Sequence, residues 1–217
     1  MKKTNPKNLV VLVSGGGSNM AAIMESIDRG EINGEIKAVI SSNAEAYALT
    51  RAHERGIPAY VCARADYENG AERDREILRI CREARADYVL LAGYLGILSG
   101  FFIEAYPNKI VNIHPALLPK FGGKGFFGIH VHEAVLAAGE TESGATVHFV
   151  GGGIDDGAII AQGKVEVLQG DTPEELQKRV LCNVEHKLFP QVVGLLCADK
   201  VKIKDGKVVI DNNISKE

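Results

Sequence analysis

No apolar run in this sequence approaches the roughly 20 residues that a membrane-spanning helix needs, so no membrane association is expected. The basic N-terminus, MKKTNPKN, leads into a short apolar run that breaks at Ser14-Gly15-Gly16-Gly17, too soon for the core of a secretory leader. Basic charge is also scarce. The 25 Lys and Arg against 28 Asp and Glu leave a net charge of −3, with no Lys/Arg-rich block. Nucleic acid is therefore not an expected partner, and any phosphate on a small substrate must be held by local groups. The four cysteines, Cys62, Cys81, Cys182 and Cys197, show no CxxC spacing and sit in apolar-patterned segments. They read as buried free thiols of a reducing compartment, which implies the cytoplasm. His130 and His132 stand at i, i+2 with no cysteine or third ligand near them, so no metal site is expected.

What is present is ordinary for a globular protein: 46% hydrophobic and 24% charged residues in a chain of 217. That length suits one domain with a sizeable core, residues 1–217 taken together, and leaves monomer and homodimer both open. NLVVLVS (8–14) is an apolar run of strand length, as in a parallel sheet covered on both faces. Met20, Ile23, Met24 and Ile27 then share a helical face that ends near Gly30. The alternation continues with strands at 36–42, 57–62, 87–93 and 109–114 and helices at 44–56 and 70–86. It predicts an α/β fold, an open and mostly parallel sheet flanked by helices. Strands at 144–150 and 158–167, joined by a short Gly- and Asp-rich loop, suggest an antiparallel pair. A long helix follows from Asp171, with a Thr172/Glu175 capping box and Pro173 in first position; Pro190 is expected to kink or restart it. VKIKDGKVVI (201–210) reads as a hairpin turning at Asp205-Gly206.

Two segments carry chemistry. SGGGSN (14–19) lies between the first strand and the first helix, where backbone N–H groups and a helix dipole suit an anion. A dinucleotide fingerprint would want glycine at Met20 and an acid ending the second strand, where Ser41, Ser42 and Asn43 stand; a P-loop lysine is absent too. Two readings remain for this turn: a monophosphate cradle, or a tight turn N-capped by Ser18 or Asn19. In VNIHPALLPKF (111–121), Asn112 and His114 are two apart on an extended strand and so share a face. They lie at the strand's carboxyl end, where open α/β sheets place ligands. An acidic loop, GGGIDDG (151–157), follows a later strand.

Together SGGGSN, LAGYLGILS (91–99), NIHPALLPKF (112–121), HVHEA (130–134), GATVHFV (144–150) and the IDDG loop resemble the folate-dependent glycinamide ribonucleotide formyltransferases of purine biosynthesis. The resemblance implies a Rossmann-like formyltransferase sheet whose C-terminal part is antiparallel. It implies a nucleotide-binding half over 8–115, a folate-binding half over 116–200 and a small hairpin and tail over 201–217. It also implies 10-formyltetrahydrofolate as co-substrate, a phosphoribosyl acceptor and a cis Leu118–Pro119 bond. Carried over by position, Asn112, His114 and Asp155 are catalytic: Asn112 for the oxyanion, His114 for the proton, and Asp155 raising the imidazole pKa. Gly17, Ser18, Asn19 and Glu185 would hold the ribonucleotide. Leu95, Gly96, Ile97 and Leu98, with Asn112 and the loop Gly151, Gly152, Gly153, Ile154 and Asp155, would wall the folate. His132 would support the centre.

The match departs from the family in several places. Gly96 stands where many relatives have arginine. Asp156 adjoins Asp155 where relatives show a single acid. Gly70 stands where an arginine often precedes the third helix, with Arg73 as its substitute. The segment FGGKGFFGIHVHEA is longer than in some relatives and adds Lys124 and two aromatics. Other formyl-folate enzymes are the nearest alternatives: a deformylase, expected to carry an extra N-terminal domain, or a transferase with another acceptor. A non-catalytic folate- or phosphate-binding module is the third.

Overall fold

The structure, a computed structural model, describes residues 5–211. The first four residues of the basic N-terminus and the tail over 212–217 lie outside the described residues.

In chain order the elements are β1 (Lys7–Val13), α1 (Ser18–Asp28), β2 (Gly34–Ser41), α2 (Tyr47–Glu54), β3 (Ala59–Val61), α3 (Gly70–Glu83), β4 (Tyr88–Leu91) and α4 (Gly100–Ala105). There follow β5 (Ile110–His114), α5 (Ile129–Ala137), β6 (Glu142–Phe149), β7 (Ile159–Glu166), α6 (Pro173–Val180), α7 (His186–Cys197), β8 (Val201–Lys204) and β9 (Lys207–Ile210). Among the described residues one seven-stranded sheet runs β3-β2-β1-β4-β5-β6-β7. The pairs from β3 through to β5 are parallel. The β5–β6 and β6–β7 pairs are antiparallel, as the short β6–β7 connection requires.

The period-2 geometry of a strand explains the core. In β1, Leu9, Val11 and Val13 face α1, α2 and α7, while Val10 and Leu12 face α3 and α4. Both faces are covered, so every residue from Leu9 to Val13 is fully buried. Phe102 of α4 and Phe189 of α7 anchor opposite sides, and truncating either to alanine should cost about 3–5 kcal/mol. The order of the sheet reverses between β1 and β4: chain order runs outward from β1 in one direction and from β4 in the other. That reversal opens a crevice at the strands' carboxyl ends.

The capping box at Thr172/Glu175 is present, with Pro173 opening α6. The hairpin of β8 and β9 turns on Asp205 and Gly206, both at positive φ. Two expectations are corrected. The long C-terminal helix does not restart at Pro190, which lies inside α7; the irregularity is a π-helical turn over Leu181–Glu185. Proline removes the N–H that would bond the carbonyl four residues earlier, at His186, so the disturbance surfaces one turn upstream. Cys182 is exposed, unlike Cys62, Cys81 and Cys197. Val180 and Val184 take the buried face and leave position 182 outside. Helices α4 and α5 carry no clear 3.6-residue apolar pattern, and the sequence did not signal them.

Candidate active site

The crevice is a cavity of about 630 Å³, within the usual range for small-molecule sites. Its floor is set by register. Asn112 and His148 are direct cross-strand partners in the β5–β6 ladder, and His114 pairs with Thr146. Side chains of such a pair project from the same face, so the antiparallel turn of the sheet brings His148 beside Asn112.

The hydrogen atoms in this cluster can be assigned from its neighbours. His148 Nδ1 lies 2.8 Å from the carbonyl oxygen of Phe149 and must donate to it. In the neutral ring Nε2 is then an acceptor, and the Asn112 amide Nδ2 donates to it at 3.1 Å. The second amide hydrogen points to Asp155 Oδ1 at 3.4 Å. His114 Nε2 lies 2.7 Å from the carbonyl oxygen of Phe121, so it too carries the N–H. Its Nδ1 is left as a lone pair, 3.5 Å from Asp155 Oδ2. Two acceptors face each other across that gap, and a proton placed on Nδ1 turns the contact into an ion pair.

Burial is the largest influence on His114 and pulls its pKa below the usual imidazole value. Asp155 and the Phe121 carbonyl push the other way, and His148 adds to the lowering. Asp155 does raise the imidazole pKa, as expected, but desolvation outweighs it and the net shift is downward. For Asp155, burial pushes the carboxyl up. The His148 contact, the Gly123 N–H at 3.0 Å and the neighbouring His114 overcome this and hold it below the usual range. Asp155 sits at φ 56°, a left-handed conformation that Asp tolerates better than most residues. Asp156 accepts from the Gly153 N–H at 2.8 Å and closes its own loop, away from His114.

The segment after β5 is pinned in three ways. Leu118–Pro119 is cis. Thr146 Oγ1 donates to the Ala116 carbonyl and accepts from the Leu118 N–H. Gln162 Nε2 donates to both Thr146 and the Leu118 carbonyl. On one side of the cavity Leu95 and Ile97 are 61% and 68% exposed, far too open to be core residues. Gly96, Leu98, Gly152, Gly153 and Ile154 line the same wall; Gly151 does not reach it. A Cβ at Gly96 would meet the Tyr94 ring at 2.6 Å, so an arginine there, as in relatives, requires that ring to move. Arg73, offered for the arginine missing at Gly70, does not line the cavity. It is buried, donates to Asp74 Oδ1 and braces the Ile97 carbonyl at 2.8 Å. Lys124, Phe126 and Phe127 of the lengthened segment do line the cavity.

On the other side, Asn19 Nδ2 donates to Glu185 Oε2 at 2.6 Å, joining α1 to the π-helical turn. Burial raises the Glu185 carboxyl pKa against the opposing effect of that bond. Asn19 lines the cavity, while Gly17 and Ser18 lie in the adjoining turn. The N-cap of α1 is Gly17 in the left-handed region, with no side-chain cap. Neither Ser18 nor Asn19 caps this helix, so its first N–H groups are not satisfied by a cap. His132 is fully buried, lines the cavity and has no hydrogen-bond partner for either nitrogen, and burial followed by the nearby His114 lowers its pKa to about 4. His130 pairs instead with Glu133 at the surface. Among the described residues no group of three or more His, Cys, Asp or Glu could hold a metal ion. None of the described helices is long and apolar enough to cross a membrane.

The site thus joins a donor-bearing amide, two imidazoles and a carboxylate to an apolar wall on one side and an uncapped helix start on the other. A family model described as formyl transferase matches residues 7–193. The chain belongs to the formyl transferase family. Its similarity to individual formyltransferases covers nearly the whole chain. It is 44% identical over 208 residues to the chloroplastic phosphoribosylglycinamide formyltransferase of Arabidopsis thaliana, covering 95% of this chain and 71% of that one. Against the phosphoribosylglycinamide formyltransferase of Escherichia coli (strain K12) it is 35% identical over 204 residues, 94% of this chain and 93% of the other. Among solved structures, glycinamide ribonucleotide transformylase 1 from Symbiobacterium toebii aligns with a TM-score of 0.90 at 36% identity, over 96% of this chain and 95% of that one.

Within this candidate site the sequence does not single out His148, Thr146 and Gln162. His148 lies inside the GATVHFV segment, and its alternation with Thr146 marked one face of a strand. Only the β5–β6 register, which no local pattern encodes, aims that face at Asn112.

Proposed function

We propose that this chain transfers the formyl group of 10-formyltetrahydrofolate to the primary amine of 5-phosphoribosylglycinamide, giving formylglycinamide ribonucleotide and tetrahydrofolate in purine biosynthesis. The observation that carries the reading is the meeting of Asn112, His114 and Asp155 at one point of a cavity open to both an apolar wall and an uncapped helix start. Leu95, Ile97 and Ile154 offer apolar surface for the pterin ring. Glycines at 15 to 17, with Ser18 and Asn19, offer N–H groups to a phosphate, and Glu185 faces the acceptor beside Asn19. In this reading residues 8–115 carry the ribonucleotide turn and 116–200 close the folate side, with Glu185 reaching back across.

The chemistry follows from the hydrogen-bond assignment. The acceptor nitrogen forms a bond to the formyl carbon, and the carbonyl electrons move onto oxygen. Asn112 offers that oxyanion the amide N–H that otherwise makes only a long 3.4 Å contact with Asp155. His148 keeps hold of the other hydrogen and so fixes the amide plane. The proton leaving the amine goes to the Nδ1 lone pair of His114, where Asp155 stabilises the imidazolium. It passes on to the departing folate nitrogen as the carbon–nitrogen bond to the folate breaks. Buried His114 starts neutral and ionised Asp155 starts charged, which is the pairing this sequence needs.

The reading takes the protein to act on small molecules as a monomer or homodimer, without nucleic acid or membrane. It places the chain in the cytoplasm, in keeping with four unpaired cysteines. The test is an assay with both substrates that follows tetrahydrofolate, run beside one without acceptor that follows formate. Transfer with little formate supports the proposal. Formate released equally without acceptor would reassign the chain as a hydrolase.

A further inference from the structure

The glycine-rich turn needs a reason to present its N–H groups to a ligand, because glycine peptides flip easily. Helix α2 supplies it. The Ala48 N–H donates to the Gly15 carbonyl at 3.2 Å, and Arg51 Nε donates to the Gly16 carbonyl at 2.9 Å. Two successive carbonyls are therefore turned to α2. In a trans peptide the N–H points opposite to the C=O, so the N–H groups of Gly16 and Gly17 are turned away from α2. Successive N–H groups facing one way form an anion-binding concavity, here continued by the uncapped start of α1. Gly17 completes the fit: it sits at φ 68°, and a Cβ there would lie 2.6 Å from the Ala48 Cβ.

Arg51 is held for this purpose. Its guanidinium lies 4.8 Å from the Tyr47 ring centroid, and among the described residues it has no carboxylate partner. Beyond Nε, its remaining N–H groups are not engaged by any described carboxylate. A second feature also points to a ligand here: Asn19, 7% exposed and lining the cavity, has its Oδ1 without a partner, an acceptor for a donor group beside the phosphate.

We propose that Arg51 is the positioning residue of the phosphate turn: by holding the Gly16 carbonyl it locks the Gly16–Gly17 peptide with its N–H outward. This rests on the proposed formyl transfer for the identity of the acceptor, but not for the phosphate itself. The test is calorimetric titration of ribose 5-phosphate into wild type, Arg51→Gln and Arg51→Lys. Loss of a bond to a charged group predicts at least about tenfold weaker binding in Arg51→Gln. Arg51→Lys keeps the charge but not the planar fork, and should fall between. In turnover, Arg51→Gln should raise KM for the phosphorylated acceptor, leave KM for the folate unchanged, and erase the preference over the dephosphorylated acceptor. Wild-type affinity in both variants overturns the inference, as does an equal rise of both KM values. If ribose 5-phosphate binding depends on Arg51 while no formyl transfer occurs, the proposed reaction falls and the phosphate site stands.

Discussion

Asn112 and His148 face each other across the β5–β6 ladder, and the amide of the first donates to the imidazole of the second at 3.1 Å. The relationship is directional. Because the Phe149 carbonyl claims Nδ1–H, Nε2 of the neutral ring can only accept, and the Asn112 nitrogen must face the site.

From this pair comes the first prediction. Asn112→Ala should lower kcat by about 10²–10³, the usual effect of deleting one oxyanion donor. His148→Phe removes the acceptor that fixes the amide and should lower kcat by about tenfold, with KM for the folate nearly unchanged. His148→Gln, which keeps an acceptor oxygen, should recover part of the loss. Steady-state kinetics on the three variants checks it.

The two neighbouring acids should separate sharply. Asp155 touches Asn112, His114 and the Gly123 N–H, whereas Asp156 bonds the Gly153 N–H. Asp155→Asn should cost about 10²–10⁴ in kcat. Asp156→Asn should cost tenfold or less, through the loop alone. Equal losses in the two assays would contradict the assignment.

A pH–rate profile should have its acid limb below 6.5, because burial lowers the His114 pKa and the Asp155 carboxyl is held low as well. Activity needs neutral His114, so it falls as pH drops through that value. Asp155 raises the imidazole pKa, so removing its charge should move the limb to still lower pH in Asp155→Asn. A limb that moves upward would reverse the sign of that coupling.

Stability should respond to His132 in a defined window. Its folded pKa is about 4, below the unfolded value near 6.5, so the unfolded chain binds more protons between those two values. The contribution is complete above pH 6.5 and is lost as pH falls toward 4, on the order of 3 kcal/mol at that end. Denaturant melts across this range should show wild type losing stability relative to His132→Leu as the pH falls. Parallel curves would mean that His132 does not titrate as its burial requires.

Much of this was legible beforehand, for physical reasons. Parallel strands buried on both faces read as continuous apolar runs, which is why β1 stood out in NLVVLVS. The period-2 rule put Asn112 and His114 on one side, and both line the cavity. What stayed hidden depends on contacts far apart in sequence. His148 needed the β5–β6 register, and the turn's orientation needed Arg51 reaching 35 residues back to Gly16. The net sign of the His114 shift was also hidden: a nearby carboxylate is visible in a motif, but the depth of burial that outweighs it is not.

The central claim is that Asn112 and Asp155 act on one reacting carbonyl, and a double-mutant cycle on kcat tests it most directly. Residues that work as a unit lose their effects together, so Asn112→Ala with Asp155→Asn should be scarcely slower than the worse single variant. Losses that multiply, each variant subtracting its full effect in the presence of the other, would place the two groups at independent steps and contradict the account.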